Sequence, residues 1–290
     1  MSTTGTVTAE RDTPLMISIP KNRGERGALA PLFDAIIYEE SLIGGILNGD
    51  FGEVYVDRET DPNFAVIWGG DTTFIGGDPN AEGAQQAAKD FVGKTNNLVV
   101  AEDDWLPLVA RYHRLLPFPT KVLEGSFMSL EEAVALQSTL PAGFSARRMS
   151  ADDARKLEED GRFRLDPWWR SPEHFYEEGF GYVVVRDEDG RPACSMHTGL
   201  LYKMRIKGYI QTHPDFRKQG LTRAVVGHFI EHCRTHGGYK SWWNTSSKHS
   251  EALALKLKFR PHGEYTVYRV RPRSATGRKS LTLKKRVKTP

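Results

Sequence analysis

Apolar side chains recur at Leu32, Ile36, Ile43 and Ile46/Leu47, a helical spacing that predicts a helix from Ala30 to Gly49, stopped by Gly49-Asp50. The pattern then changes to short apolar runs at Glu53–Val56, Ala65–Trp68 and Thr72–Ile75, separated by Gly/Asp clusters as in hairpins. Ala81–Val92 reads as a helix, Asn97–Val100 as a strand and Trp105–Leu115 as a helix. Ser129-Leu-Glu-Glu132 is a capping box that opens a helix through Leu136, and Pro141-Ala-Gly143 marks a boundary. The second half predicts a strand at Phe144–Arg148, a capped helix at Ser150–Glu159 and a helix opened by Ser171-Pro172-Glu173. Strands follow at Tyr182–Arg186, Ala193–Leu201 and Arg205–Thr212, then a long helix at Gly220–Arg234. A strand at Ser241–Asn244, a helix at Ser250–Leu257 and a strand at Glu264–Val270 complete the pattern. These elements point to the α+β (α/β) class, built around a mixed sheet. Four segments are expected: a flexible arm over 1–19, an N-terminal α/β module over 20–140, a second domain over 141–270, and a tail over 271–290.

Composition narrows the class. Of 290 residues, 39% are apolar and 27% charged, as in ordinary globular proteins. No run approaches the roughly 18 apolar residues of a membrane span, and the first residues lack the apolar core of a secretory signal. Two cysteines, Cys194 and Cys233, make no disulfide framework, so a reducing cytoplasmic setting is expected. The net charge of +3 hides a division. Residues 1–140 carry 21 acidic and 10 basic side chains, 141–268 carry 16 and 21, and 269–290 carry nine bases and no acid. Such asymmetry points to a polyanionic partner or an anionic ligand on the basic side, or to a solvated basic tail.

The chemistry concentrates in Ile210-Gln-Thr-His-Pro-Asp-Phe-Arg-Lys-Gln-Gly-Leu-Thr-Arg-Ala-Val-Val226. A strand, a Pro turn, a basic loop with glycine and an amphipathic helix follow one another. The N–H groups of a helix start and its dipole favour an anion, and Gly220 lets backbone approach a phosphate. Arg217, Lys218 and Arg223 add charge. The same pattern also serves as an ordinary strand-to-helix connection.

Arg217-Lys-Gln-Gly220-Leu-Thr222 resembles the Q/R-x-x-G-x-G/A signature of GNAT acyltransferases, and Ser250–Phe259 resembles their next helix. Phe175–Val185, Gly52–Asp57, Trp68–Asp71 and Phe74–Asn80 are similar to the zwittermicin-resistance-type GNAT family, extending the resemblance over roughly residues 30 to 270. It implies a GNAT fold with a mostly antiparallel central sheet and an N-terminal module resembling a degenerate GNAT half. It further implies acetyl-CoA or another acyl-CoA as co-substrate, a small-molecule amine as acceptor, and direct attack without a covalent enzyme adduct. Antibiotic self-resistance or natural-product tailoring would fit the subfamily. The donor would lie along Gln211, Thr212, Arg217, Lys218, Gln219, Gly220, Leu221, Thr222 and Ser247.

A tyrosine after the last helix commonly protonates the leaving thiolate. Tyr265 is the candidate and Tyr268 the fallback, on opposite faces of one strand. Candidates for the base are His197, His213 and Glu178, each with a competing structural role in the sheet core, the Pro turn or a helix. The pattern departs from the family at Lys218 and Lys258 (usually Gly), at Thr222 (usually Gly or Ala), and at Lys207, where a strand acid is often found. His228, His232 and His236 recur at helical spacing but lack an acidic ligand, so a surface stripe is expected and no metal.

The departures and the basic tail also permit an aminoacyl-tRNA donor. Arg269, Arg271, Arg273, Lys284, Lys285 and Arg286 would then contact phosphate, and Trp243 would stack on a base. A third reading is a non-catalytic binding module with a degenerate pocket.

Overall fold

The computed structural model describes residues 16–20, 23–125, 127–159, 165, 169 and 171–273. Twelve strands among them form one sheet: β1 (Ile17–Ser18), β2 (Glu53–Val56), β3 (Phe64–Gly69), β4 (Thr72–Gly77), β5 (Asn97–Val100), β6 (His113–Glu124), β7 (Phe144–Arg148), β8 (Gly181–Arg186), β9 (Pro192–Tyr202), β10 (Arg205–Thr212), β11 (Lys240–Thr245) and β12 (Arg260–Pro272). Their order is β1-β2-β3-β4-β5-β12-β6-β11-β10-β9-β8-β7. Only β4/β5 and β10/β11 run parallel. The α-helices among the described residues are α1 (Arg23–Gly27), α2 (Glu40–Leu47), α3 (Ala84–Gln86), α4 (Trp105–Val109), α5 (Leu130–Gln137), α6 (Ala151–Glu159), α7 (Pro172–Glu178), α8 (Leu221–Thr235) and α9 (Lys248–Lys256).

The order contains a repeat. Four antiparallel strands followed by a parallel one occur in β1–β5 and again in β7–β11. The closing strand of each half is exchanged. β6 stands beside β11, and β12 beside β5, while β6 and β12 pair from His113↔Pro272 to Glu124↔Arg260. The centre of the sheet is therefore built by both halves, each completing the other's ladder.

Apolar side chains fill both faces of each half. Around α8, Val225, Val226, Phe229 and Ile230 pack on Met196, Ile206 and Trp243, and on the opposite face Met149, Leu157 and Phe175 pack on Val183 and Val185. In the first half, Ile43, Ile46 and Leu47 of α2 meet Val54, Ile67 and Phe74. The reverse face holds Phe64, Leu98, Val109 and the fully buried Trp105, whose indole N–H donates to the Gly77 carbonyl at 2.8 Å.

Local signals set many boundaries. Ser129 accepts from the Glu132 N–H at 3.0 Å while Glu132 accepts from the Ser129 N–H at 2.8 Å. Ser171 caps α7 and Ser150 accepts from the Asp153 N–H. Three expectations differ. The helix over Ala30–Gly49 is divided into a 3-10 turn at Ala30–Phe33, opened by Pro31, and α2. Ala81–Val92 is likewise broken into short turns. The helix expected through Leu115 stops at Val109, and Leu115 belongs to β6. Pro117 and Pro119 lie on the part of β6 paired with β12, since β11 joins only from Lys121 to Glu124. A strand with one partner can leave a missing N–H on its unpaired side. Of the expected arm, residues 1–15 lie outside the described residues, whereas Ile17 and Ser18 pair with β2.

Candidate active site

β10 and β11 are hydrogen-bonded at Arg205↔Lys240, Ile206↔Ser241 and Lys207↔Trp242. Beyond that point they part, β10 staying with β9 and β11 with β6. A cleft of about 690 Å³ extends from this fork, lined by Ile210, Gln211, Thr212, Arg217, Lys218, Gly220, Thr222, Arg223, His249 and Leu253. The α8 N-terminus, capped by Gly220, brings its positive end to the same space.

The loop geometry explains the departures in sequence. Gly220 sits at φ +83 as the N-cap of α8, with nothing within 4 Å of the place a Cβ would occupy. Lys218 is also left-handed, at φ +65, so it holds a conformation that glycine adopts without strain. Lys258, the other expected glycine, has φ +67. Thr222 turns its hydroxyl toward Thr212 (3.1 Å) and Cys194 (4.0 Å). Its branched side chain is thus packed on β10. Arg217 donates to the Thr212 carbonyl at 3.4 Å, Gln219 is exposed and Leu221 is buried in the core. Ser247 caps α9, accepting from the Ser250 N–H at 3.4 Å.

A second group meets at the closed end of the fork. The Tyr265 hydroxyl on β12 donates to Glu39, the residue preceding α2. Lys207 Nζ lies 3.2 Å from both Glu39 oxygens, and Asn244 Nδ2 is 3.3 Å from the Tyr265 oxygen and 3.4 Å from Glu39 Oε1. Glu39 is only 6% exposed. Burial, then the Glu39 charge, pushes the Tyr265 phenol well above its ordinary value. It therefore remains protonated near neutrality and can supply a proton. Tyr268 packs instead with the cluster on the other face.

The remaining sequence candidates lie elsewhere. His213 is buried at the Pro turn, with Nδ1 3.2 Å from the Asp215 N–H and Nε2 3.0 Å from Arg191. His197 is fully buried between Phe175 and Tyr209, and burial lowers its pKa to about 3. Glu178 is exposed at the end of α7. Trp243 is buried against Phe259 and donates its N–H to Ser250 at 2.9 Å, which places its ring in the core. Arg269 lies over Phe118, Arg271 pairs across from Arg114, and Arg273 donates to the Ala110 and Arg111 carbonyls. Lys284, Lys285 and Arg286 lie outside the described residues. The histidine stripe does not lie wholly at the surface: His232 is buried against Phe180, which covers that face of α8, and stacks with His236 at 4.1 Å; no group of three metal-ligating side chains occurs among the described residues. No described helix is long and apolar enough to cross a membrane.

The burial of His197 has a measurable consequence. Folded His197 stays neutral down to about pH 3, whereas unfolded histidine takes a proton near pH 6.5. Its contribution is complete above pH 6.5 and is lost as pH falls toward 3, amounting to about 2 kcal/mol by pH 5. Urea unfolding at pH 7.5 and 5 should show this loss in the wild type, and a smaller one in His197→Asn. Equal slopes would contradict it.

Among the described residues, the first half shows no open counterpart of the fork. β4 and β5 stay paired from Thr72↔Asn97 to Ile75↔Val100, and Ala101 N–H still reaches the Ile75 carbonyl at 2.9 Å. The Leu32 carbonyl lies against Gly76 so closely that a methyl group there would collide with it. Residues 76–86, which follow, carry no Lys or Arg.

Comparisons with known proteins agree with this architecture. Among solved structures, a GCN5-related N-acetyltransferase-like protein from Streptococcus suis 89/1591 superposes with a TM-score of 0.73 at 23% identity, covering 86% of this chain and 99% of that one. A tandem GNAT protein from the clavulanic acid biosynthesis pathway gives 0.58 at 12%, covering 89% and 98%. A GCN5-related N-acetyltransferase from Sphaerobacter thermophilus gives 0.56 at 11%, covering 89% and 96%. At these identities the likeness concerns the fold. The search of curated proteins gives no match. The model of the GNAT acetyltransferase family matches residues 30–268, most of the chain. The chain belongs to the GNAT acetyltransferase family.

Proposed function

We propose that this protein transfers an acyl group from acyl-CoA to the amine of a small molecule, using one donor cleft per chain. The observation that carries the reading is the open fork between β10 and β11, joined to a basic, glycine-capped helix start. Gln211 and Thr212 border the thioester arm, while Arg217, Lys218, Arg223 and the start of α8 take the pyrophosphate. The acceptor nitrogen attacks the thioester carbonyl, a C–N bond forms and the C–S bond breaks. Tyr265 gives its proton to the departing thiolate, and the proton lost from nitrogen restores the phenol.

An acceptor route is supported by a second gap. β5 and β12 pair only at Leu98↔Tyr268 and Asn97↔Arg269, and beside them lies a cavity of about 300 Å³. Ile36, Ile37, Asp103, Glu264 and Tyr265 line it, a set suited to a compact cationic amine. A role in self-resistance or natural-product tailoring would place such an amine among antibiotic-like compounds. The clavulanic acid pathway neighbour is consistent with that role.

The closed first-half fork predicts a stoichiometry of one. Calorimetric titration with acetyl-CoA should saturate at one ligand per chain. Two equivalent sites would contradict the assignment of a single cleft, and no binding at millimolar ligand would overturn the acyl-CoA reading. The tail and the strip formed by Arg114, Arg269 and Arg271 support the aminoacyl-tRNA donor as a second reading. Incubation with labelled acetyl-CoA in one tube and charged tRNA in another shows which donor is consumed.

A further inference from the structure

We infer that the acidic N-terminal half takes part in the reaction through Glu39, a positioning residue for Tyr265. This rests on the proposed acyl transfer and extends it to a segment that carries no donor motif. Glu39 comes from ahead of α2, yet its carboxylate receives Tyr265 from β12, Lys207 from β10 and Asn244 from β11. β10 and β11 are the strands of the fork, and β12 lies beyond β6. Lys207 occupies the last paired position before β10 and β11 separate.

Geometry argues for more than scaffolding. Tyr265 must reach from β12 across β6 toward β11 to meet Asn244. Glu39 fixes the phenol oxygen at that end of its reach, while Lys207 balances the buried carboxylate. Tyr38 packs its ring 5.9 Å from Tyr265 and 6.3 Å from Trp242, holding the segment before α2 over the fork. A carboxylate beside the phenol also opposes loss of its proton to solvent. When thiolate forms, sulfur becomes the competing acceptor and the hydroxyl turns from Glu39 to it. Glu39 itself makes and breaks no bond to substrate.

The test uses the full chain and two measurements. First, ultraviolet difference titration of wild type against Tyr265→Phe isolates the Tyr265 phenol, and the same subtraction is made in a Glu39→Gln background. Glu39→Gln keeps the shape and a hydrogen-bond acceptor but removes the charge. The phenol should then ionise at lower pH, by about one pH unit or more. Second, release of CoA thiol from acetyl-CoA is followed with hydroxylamine as the probe nucleophile. Glu39→Gln should lower kcat about tenfold or more with acetyl-CoA affinity unchanged, and should add little further loss in the Tyr265→Phe background. An unshifted phenol, or additive losses, would overturn the inference. Failure of the wild type to bind acetyl-CoA would instead overturn the donor reading, while the phenol titration still decides the Glu39–Tyr265 coupling.

Discussion

Tyr265→Phe is expected to lower kcat by about 10²- to 10⁴-fold, the usual contribution of a positioned proton donor. The substitution removes one oxygen and leaves the ring packed beside Tyr38. Glu39 keeps Lys207 and Asn244 as partners, so the buried carboxylate is not stranded. Acetyl-CoA affinity should be unchanged, because the donor-cleft lining does not include Tyr265. The matched control is Tyr55→Phe, on β2 beside the cluster of the opposite face and lining neither cavity, for which near-normal turnover is expected. CoA release with hydroxylamine distinguishes them. Equal rates in Tyr265→Phe and wild type would remove the phenol from the proposed acyl-CoA chemistry.

The sequence carried the fold where its signals are local. Capping at Ser129, Ser150 and Ser171 involves residues three apart, and the 210–226 stretch lies contiguously on strand, turn and helix. The cleft lined by this stretch was legible for the same reason. Lys218 and Lys258 obscured the motif in composition while preserving it in backbone, since both adopt the left-handed conformation that glycine favours. Thr222 obscured it in bulk, but its side chain faces Cys194 and Thr212.

What the sequence concealed depends on distant partners. Glu39 and Tyr265 are 226 positions apart, and in the sequence Glu39 falls inside the single helix expected over Ala30–Gly49. β6 was hidden because Trp105, Leu108 and Val109 have helical spacing and two prolines follow. Only its place between β11 and β12 shows why a strand can form there. His197 lies on a strand read correctly, but its face and depth are set by Phe175 and Tyr209, brought in by other elements.

The central claim is that the start of α8 and the β10/β11 fork form the acyl-CoA site, and Gly220 is its most direct probe. A Trp side chain at position 220 would project into open space at the helix start and must adopt φ near +83. The backbone strain costs about 1–2 kcal/mol, which lowers stability without predicting loss of fold. Steric occupation of the phosphate position should weaken acetyl-CoA binding at least about 100-fold, equivalent to about 2.7 kcal/mol. Calorimetric titration of wild type and Gly220→Trp with acetyl-CoA, after both are shown to be folded by circular dichroism, measures this directly. The account predicts one-site binding in the wild type and its loss in folded Gly220→Trp; equal affinity in the two proteins would contradict it.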